Sequence, residues 1–139
     1  MTARFVDTNV LLYSISTDPG EKAKAERART ILEGRDLRLS VQVLQEFYVQ
    51  ATRASRPDAL SHHQAAGLVQ SFLRFRPATT TKELMLAALD TCARFQISYW
   101  DAAIIEAGRL LGCETLLSED LSDGQDYDGI IVENPFKGT

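Results

Sequence analysis

The sequence lacks the residues that staple, anchor or advertise a chain. Its only cysteines are Cys92 and Cys113, each inside an apolar helical pattern and neither in a C-x-x-C or His-rich cluster. That spacing excludes a disulfide framework and a structural zinc site, and both read as buried thiols of a reducing compartment. No basic, apolar leader and no apolar run of about eighteen residues is found, so neither a signal peptide nor a membrane span is predicted and a cytoplasmic location is expected. G-x-G-x-x-G, Walker-type and G-x-S-x-G motifs are missing, which removes the common nucleotide-binding and serine-hydrolase readings. The two histidines, His62 and His63, are adjacent and fall on different helix faces, so they cannot form an i, i+4 ligand pair. An excess of positive charge is also lacking: 15 basic and 19 acidic residues give a net charge of −4. Spread evenly, that balance disfavours a phosphate-rich partner. Gathering four of the acids in one site would leave 15 acids facing 15 bases elsewhere.

What is present is ordinary globular material, 139 residues of which 45% are hydrophobic and 24% charged. A single domain over 1–139 is expected, long enough to bury a core without staples. Arg4-Phe5-Val6-Asp7 reads as a buried strand, with Thr8-Asn9 in capping position before the helical run Val10 to Ile15. A charged helix over Glu21 to Glu33 follows, then a short strand at Leu37 to Leu39. Ser40 opens a helix to about Ala54, Ser61 one to about Phe75, Thr81 one to about Phe95, and Ser98 one that Gly112 ends. Thr115 to Ser118 and Ile130 to Val132 are strands separated by a polar loop, Glu119 to Gly129. Strands alternating with helices imply an α/β fold, a mainly parallel sheet with helices on both faces, since parallel strands need helical crossovers. Ligands of such sheets bind where strands end, and Asp7 and Ser118-Glu119-Asp120 both lie there.

Each acid also has a plain reading. Asp7 can cap a helix, but Asn9 is the better cap by position, because the apolar periodicity begins directly after it. Glu46 falls with Gln42, Gln50 and Arg53 on the polar side of its helix and reads alone as a solvated glutamate. Asp101 completes a capping box with Ser98, a position that favours the ionised carboxylate. Asp120 shares a turn-rich loop with Asp123, Asp126 and Asp128. Arginine and lysine concentrate between Lys22 and Arg38 and recur at Arg53, Arg56, Arg74 and Arg76, as solvated faces or phosphate contacts.

Four short stretches carry a family resemblance. Phe5-Val6-Asp7-Thr8-Asn9-Val10 resembles the opening of PIN domains, whose first strand ends in a metal-binding aspartate. Ser40 to Phe47 resembles that family's helical glutamate, Tyr99-Trp100-Asp101-Ala102-Ala103-Ile104 its D-A-x-I/L helix start, and Leu117-Ser118-Glu119-Asp120-Leu121 its final acidic position. Gly124-Gln125 and Asn134-Pro135-Phe136 are similar to the VapC-type toxins of bacterial toxin-antitoxin systems within it.

The resemblance implies a three-layer α/β/α PIN-like domain and a metal-dependent endoribonuclease in which Asp7, Glu46, Asp101 and Asp120 hold Mg²⁺ or Mn²⁺. Asn9 and Ser118 are implied as orienting groups, and Asp123 as a supporting acid. A set of oxygen ligands without Cys or His suits those hard cations. RNA as substrate, a cognate antitoxin and a homodimer are implied partners. The alternative is a PIN-like module that binds RNA without cutting it. A dehalogenase-like phosphatase needs a second aspartate where Asn9 stands, and the acid pair and late lysine of a receiver domain are missing.

Overall fold

Phe5 and Val6, consecutive and both fully buried, form the middle of a strand covered on both faces. This strand, β1 (Arg4–Val6), belongs to a computed structural model that describes residues 3–139. It pairs in parallel with β2 (Leu37–Arg38) on one side and β3 (Thr115–Leu117) on the other; β3 in turn pairs in parallel with β5 (Ile130–Glu133). A short β4 (Asp126–Tyr127) runs antiparallel to β5 and completes a sheet of order β2-β1-β3-β5-β4.

The helices are α1 (Thr8–Ser14), α2 (Lys22–Leu32), α3 (Val41–Ala51), α4 (His62–Phe72), α5 (Lys82–Phe95) and α6 (Tyr99–Leu110). α1 packs on α2 and α3, α4 on α3, and α5 on α6, which also lies against β3 and β5. The expected three-layer α/β/α arrangement with a mainly parallel sheet is therefore the observed one. Helix starts follow the side-chain chemistry. Ser40, Thr81 and Ser98 each accept the backbone N–H three residues on, and Ser61 forms a reciprocal capping box with Gln64. Gly108 lets α6 come close to β1, since a Cβ there would stand 3.4 Å from that of Phe5.

One part of the expected connectivity is corrected. The stretch from Glu119 to Gly129 is not loop throughout, because Tyr127 pairs with Ile130 across the two-residue turn Asp128-Gly129. Both turn residues have positive φ, 54° and 101°, as a tight hairpin with the right-handed strand twist requires. The Asp-Gly pair was the available sequence signal, hidden by the acidic residues around it. α6 and the hairpin are joined by Arg109, whose guanidinium donates to the Tyr127 and Asp128 carbonyls, 2.7 Å each, and to the buried Glu106 carboxylate at 3.0 Å.

Candidate functional site

The C-terminal ends of β1 and β3 lie side by side in register, and this brings residues over a hundred positions apart into contact. Asp7 leaves β1 buried, with 5% exposure. Its Oδ1 accepts from the Thr8 N–H at 2.7 Å and its Oδ2 from the Ser118 hydroxyl at 2.7 Å. Asp7, and not Asn9, is therefore the cap of α1. The expectation failed because Thr8 and Asn9 are buried polar residues inside the helix, so its first turn precedes the first apolar residue. Asn9 instead bridges the two strand ends. Its Nδ2 donates to Ser118 Oγ at 3.4 Å and Asp120 Oδ2 at 3.3 Å, while its Oδ1 accepts from the Glu119 N–H at 3.3 Å.

Glu46 reaches the same place from α3 and is not simply solvated. The Thr8 hydroxyl donates to its Oε1 at 2.8 Å. Gln42, buried although placed on the polar side by periodicity, donates to Glu46 Oε2 at 3.4 Å and to the Trp100 carbonyl at 3.2 Å, joining α3 to the start of α6. Asp120 is exposed at the rim and its N–H donates to Ser118 Oγ at 3.2 Å. Ser118 is thus the shared post for Asp7 and the following loop.

The four acids do not form one tight group. Asp101 lies at the start of α6, where its N–H is capped by Ser98 at 3.0 Å. The reciprocal half of the expected capping box is missing, and among the described residues no hydrogen-bond donor holds its carboxylate. Its charge is felt at Tyr127, whose phenol is pushed up by burial first and by Asp101 second. Among the described residues no three carboxylate, imidazole or thiol groups converge closely enough to chelate one ion as they stand. Asp123 is turned elsewhere: its oxygens accept from the Asn134 N–H at 2.9 Å and Lys137 Nζ at 3.1 Å, so it supports the C-terminal segment and not the acid site.

The electrostatics centre on Asp7. Burial raises its carboxyl to about 6; the Ser118 and Thr8 hydrogen bonds pull it down, and Asp120 and Glu46 push it up again. A buried carboxylate beside two like charges, with only neutral donors around it, lacks a counter-charge. A hard divalent cation fits this donor set, all oxygen and anionic, and would draw the carboxylates inward.

A cleft of about 240 Å³ opens on Thr8, Asn9 and Asp120; it takes in Glu119 and Arg56, both noted in the sequence, and Tyr13, which the sequence reading gave no role. Glu119 accepts from the Tyr13 hydroxyl at 2.6 Å and from Lys24 Nζ at 2.6 Å. Tyr13 lies one helical turn after Asn9, a spacing that could have marked it. Lys24 becomes visible only when α2 packs on α1. His62 lies outside this cleft, its Nδ1 2.8 Å from the Tyr48 hydroxyl.

A model of the PIN domain family matches residues 4–122. No curated protein matches the sequence significantly. Among solved structures, the chain is similar to VapC20 of Mycobacterium tuberculosis, described as a sarcin-ricin loop cleaving toxin, at 20% identity and TM-score 0.66 over 85% of this chain and 92% of that one. A toxin-antitoxin complex from Klebsiella pneumoniae is similar at 20% identity and TM-score 0.69, with 97% and 98% covered. VapBC2 from Rickettsia felis, solved on a DNA fragment from its promoter, is similar at 15% and 0.66, with 95% and 98% covered. At these identities the likeness is one of fold.

Proposed function

The chain belongs to the PIN-domain family, and from that premise we propose that it is a Mg²⁺- or Mn²⁺-dependent endoribonuclease, the toxin of a toxin-antitoxin pair. The observation that carries the reading is the buried Asp7 carboxylate at the end of β1, raised to about 6 by burial with Asp120 and Glu46 adding to the push. Such a group is costly unless a cation shares the site. Asp7, Glu46, Asp101 and Asp120 are the proposed ligands. A bound ion would lower the pKa of a coordinated water and neutralise charge on the phosphate.

The chain's own residues have distinct parts in this reading. Ser118 and the Thr8 N–H orient Asp7, one oxygen each, so the carboxylate is fixed before substrate arrives. Asn9 holds Asp120 and the Glu119 backbone over the same opening. Thr8 and Gln42 fix the two Glu46 oxygens. Asp101 carries the one of the four carboxylates that no hydrogen-bond donor holds among the described residues. Arg56, on the cleft wall, is paired with Asp58 at 2.8 Å, and Lys24, beside it, with Glu119 at 2.6 Å; either would meet a substrate phosphate by exchanging that partner.

The deciding experiment is cleavage of a mixed RNA pool with and without Mg²⁺, alongside the Asp7→Asn variant. The expected products end in a 5′-phosphate and a 3′-hydroxyl, and the variant and excess chelator both abolish them. Products with a 2′,3′-cyclic phosphate, or full activity in chelator, would overturn the reading. The separation of the acids favours one second reading, a module that binds RNA without cutting it; RNA binding with no cleavage in Mg²⁺ or Mn²⁺ would establish that instead. The toxin reading draws on the family and on fold relatives solved as toxin-antitoxin complexes. It predicts that the product of the neighbouring reading frame binds the chain and blocks the cleft, and that the chain pairs as a homodimer.

A further inference from the structure

A second concentration of charge lies at the sheet edge formed by β2. A cleft of about 220 Å³ there is walled by Arg35, Arg38, Arg74 and Arg76, with Leu37 and Phe75 as its apolar lining. The arginines come from two stretches far apart in sequence. They meet because the segment after α4 pairs in parallel with the end of β2: Ser40 bridges Ala78, the Ala78 N–H donates to the Leu39 carbonyl at 3.1 Å, and the Val41 N–H to the Ala78 carbonyl at 2.9 Å. Arg38 and Arg76 each stand two residues before that bridge.

Local contacts set these side chains without neutralising them. Arg74 lies over the Phe75 ring, 4.3 Å from its centroid, and donates to the Ser71 carbonyl and hydroxyl, 2.9 Å each. Arg38 donates to the Leu37 carbonyl at 2.8 Å. Arg76 has φ 52°, a left-handed conformation that costs a residue with a Cβ about 1 kcal/mol and that glycine adopts freely. Among the described residues none of the four is ion-paired, and the acid between them, Asp36, is taken by Arg4 at 3.2 Å. In a chain of net charge −4, four adjacent guanidiniums outside any ion pair, with Asp36 near Arg38 already held by Arg4, create the kind of local field that a polyanion seeks.

We infer that this cleft binds backbone phosphates of single-stranded RNA a few nucleotides from the bond to be cut. The inference rests on the ribonuclease reading. Its position fits: Arg38 is in register with Phe5, two residues before Asp7, so the near wall of the cleft lies roughly 7 Å back along the strands from Asp7 and one strand to the side, with Arg35 further back. Planar guanidiniums beside an aromatic ring suit a flexible strand whose phosphates and bases are both accessible.

The test measures binding of a labelled single-stranded RNA by the full chain in the Asp7→Asn background across a salt series. Arg35→Gln with Arg74→Gln, both exposed positions, is expected to weaken binding about tenfold and to lower the slope of log K against log salt by about 1.4, two phosphates' worth. The Arg35→Lys, Arg74→Lys pair should restore the slope. In the otherwise wild-type chain, the glutamine pair should raise KM for long RNA while leaving cleavage of an oligonucleotide too short to reach the cleft unchanged. Unaltered affinity and slope in a chain that still cleaves RNA would overturn the cleft alone. An equal loss in the control Arg94→Gln would also overturn it, as would a larger effect on duplex DNA than on RNA. A parent chain that neither cleaves nor binds RNA would remove the ribonuclease reading and the cleft together.

Discussion

Asp7 serves two structures with one carboxylate, and this creates a conflict that can be measured. One oxygen caps α1 and the other accepts from Ser118, yet the group is buried and its carboxyl is raised to about 6. A carboxylate raised above its ordinary 3.8 is penalised when ionised in the folded state. In metal-free protein the Asp7 contribution should therefore be fully present below about pH 4, fall by on the order of 2–3 kcal/mol as pH rises through about 6, and change little beyond. The lowered carboxyls of Asp36, Asp58, Glu119 and Asp123 act in the opposite sense at low pH. Asp7→Asn keeps the cap and can donate to Ser118, so in chelator at pH 7.5 it should melt several degrees above the wild type, the gap closing below pH 4. A lower melting temperature at pH 7.5 would show that the cap needs the charge. Cys113 makes a quieter prediction: burial pushes its thiol up to about 11, so it should resist iodoacetamide until the chain is unfolded, as mass spectrometry would report. At this scale the sequence was informative about which residue types cluster at strand ends, and misleading about the cap of α1. The apolar periodicity that favoured Asn9 does not register polar residues buried by a partner strand, and the Thr8 contact that secures Glu46 joins residues 38 positions apart.

At the scale of elements, capping residues were the most legible feature. Ser40, Ser61, Thr81 and Ser98 all open the helices expected of them, because a hydroxyl accepting an N–H in the next turn is a local interaction. The β4 hairpin was not read, since two residues give no periodicity and their pairing depends on β5. Its attachment to α6 runs through Arg109, which also balances the buried Glu106 that Thr91 of α5 contacts at 2.8 Å. Arg109→Ala leaves that carboxylate buried with one neutral donor and should cost about 2 kcal/mol, less than a fully buried pair because Arg109 is 36% exposed. Urea denaturation would show the loss as a lower midpoint. The double change with Glu106→Gln should recover much of it; no recovery would mean that the carbonyl contacts, and not the charge, hold the hairpin.

For the whole molecule, the parallel sheet and its helical cover were legible from alternation alone, while the site's final geometry was not, because it depends on charges that repel until something intervenes. Millimolar Mg²⁺ should raise the melting temperature of the wild-type chain by mass action and should leave Asp7→Asn unmoved. Equal shifts in both proteins would place the ion elsewhere.

The pairing of β1 with β3 also bears on how the chain comes into being. Ser118, which orients Asp7, emerges from the ribosome 111 residues after it, roughly 5 to 20 seconds at usual elongation rates. Through that interval the nascent chain carries the aspartate without the strand that completes its surroundings. The proposed catalytic site would thus be assembled only as synthesis of this domain finishes.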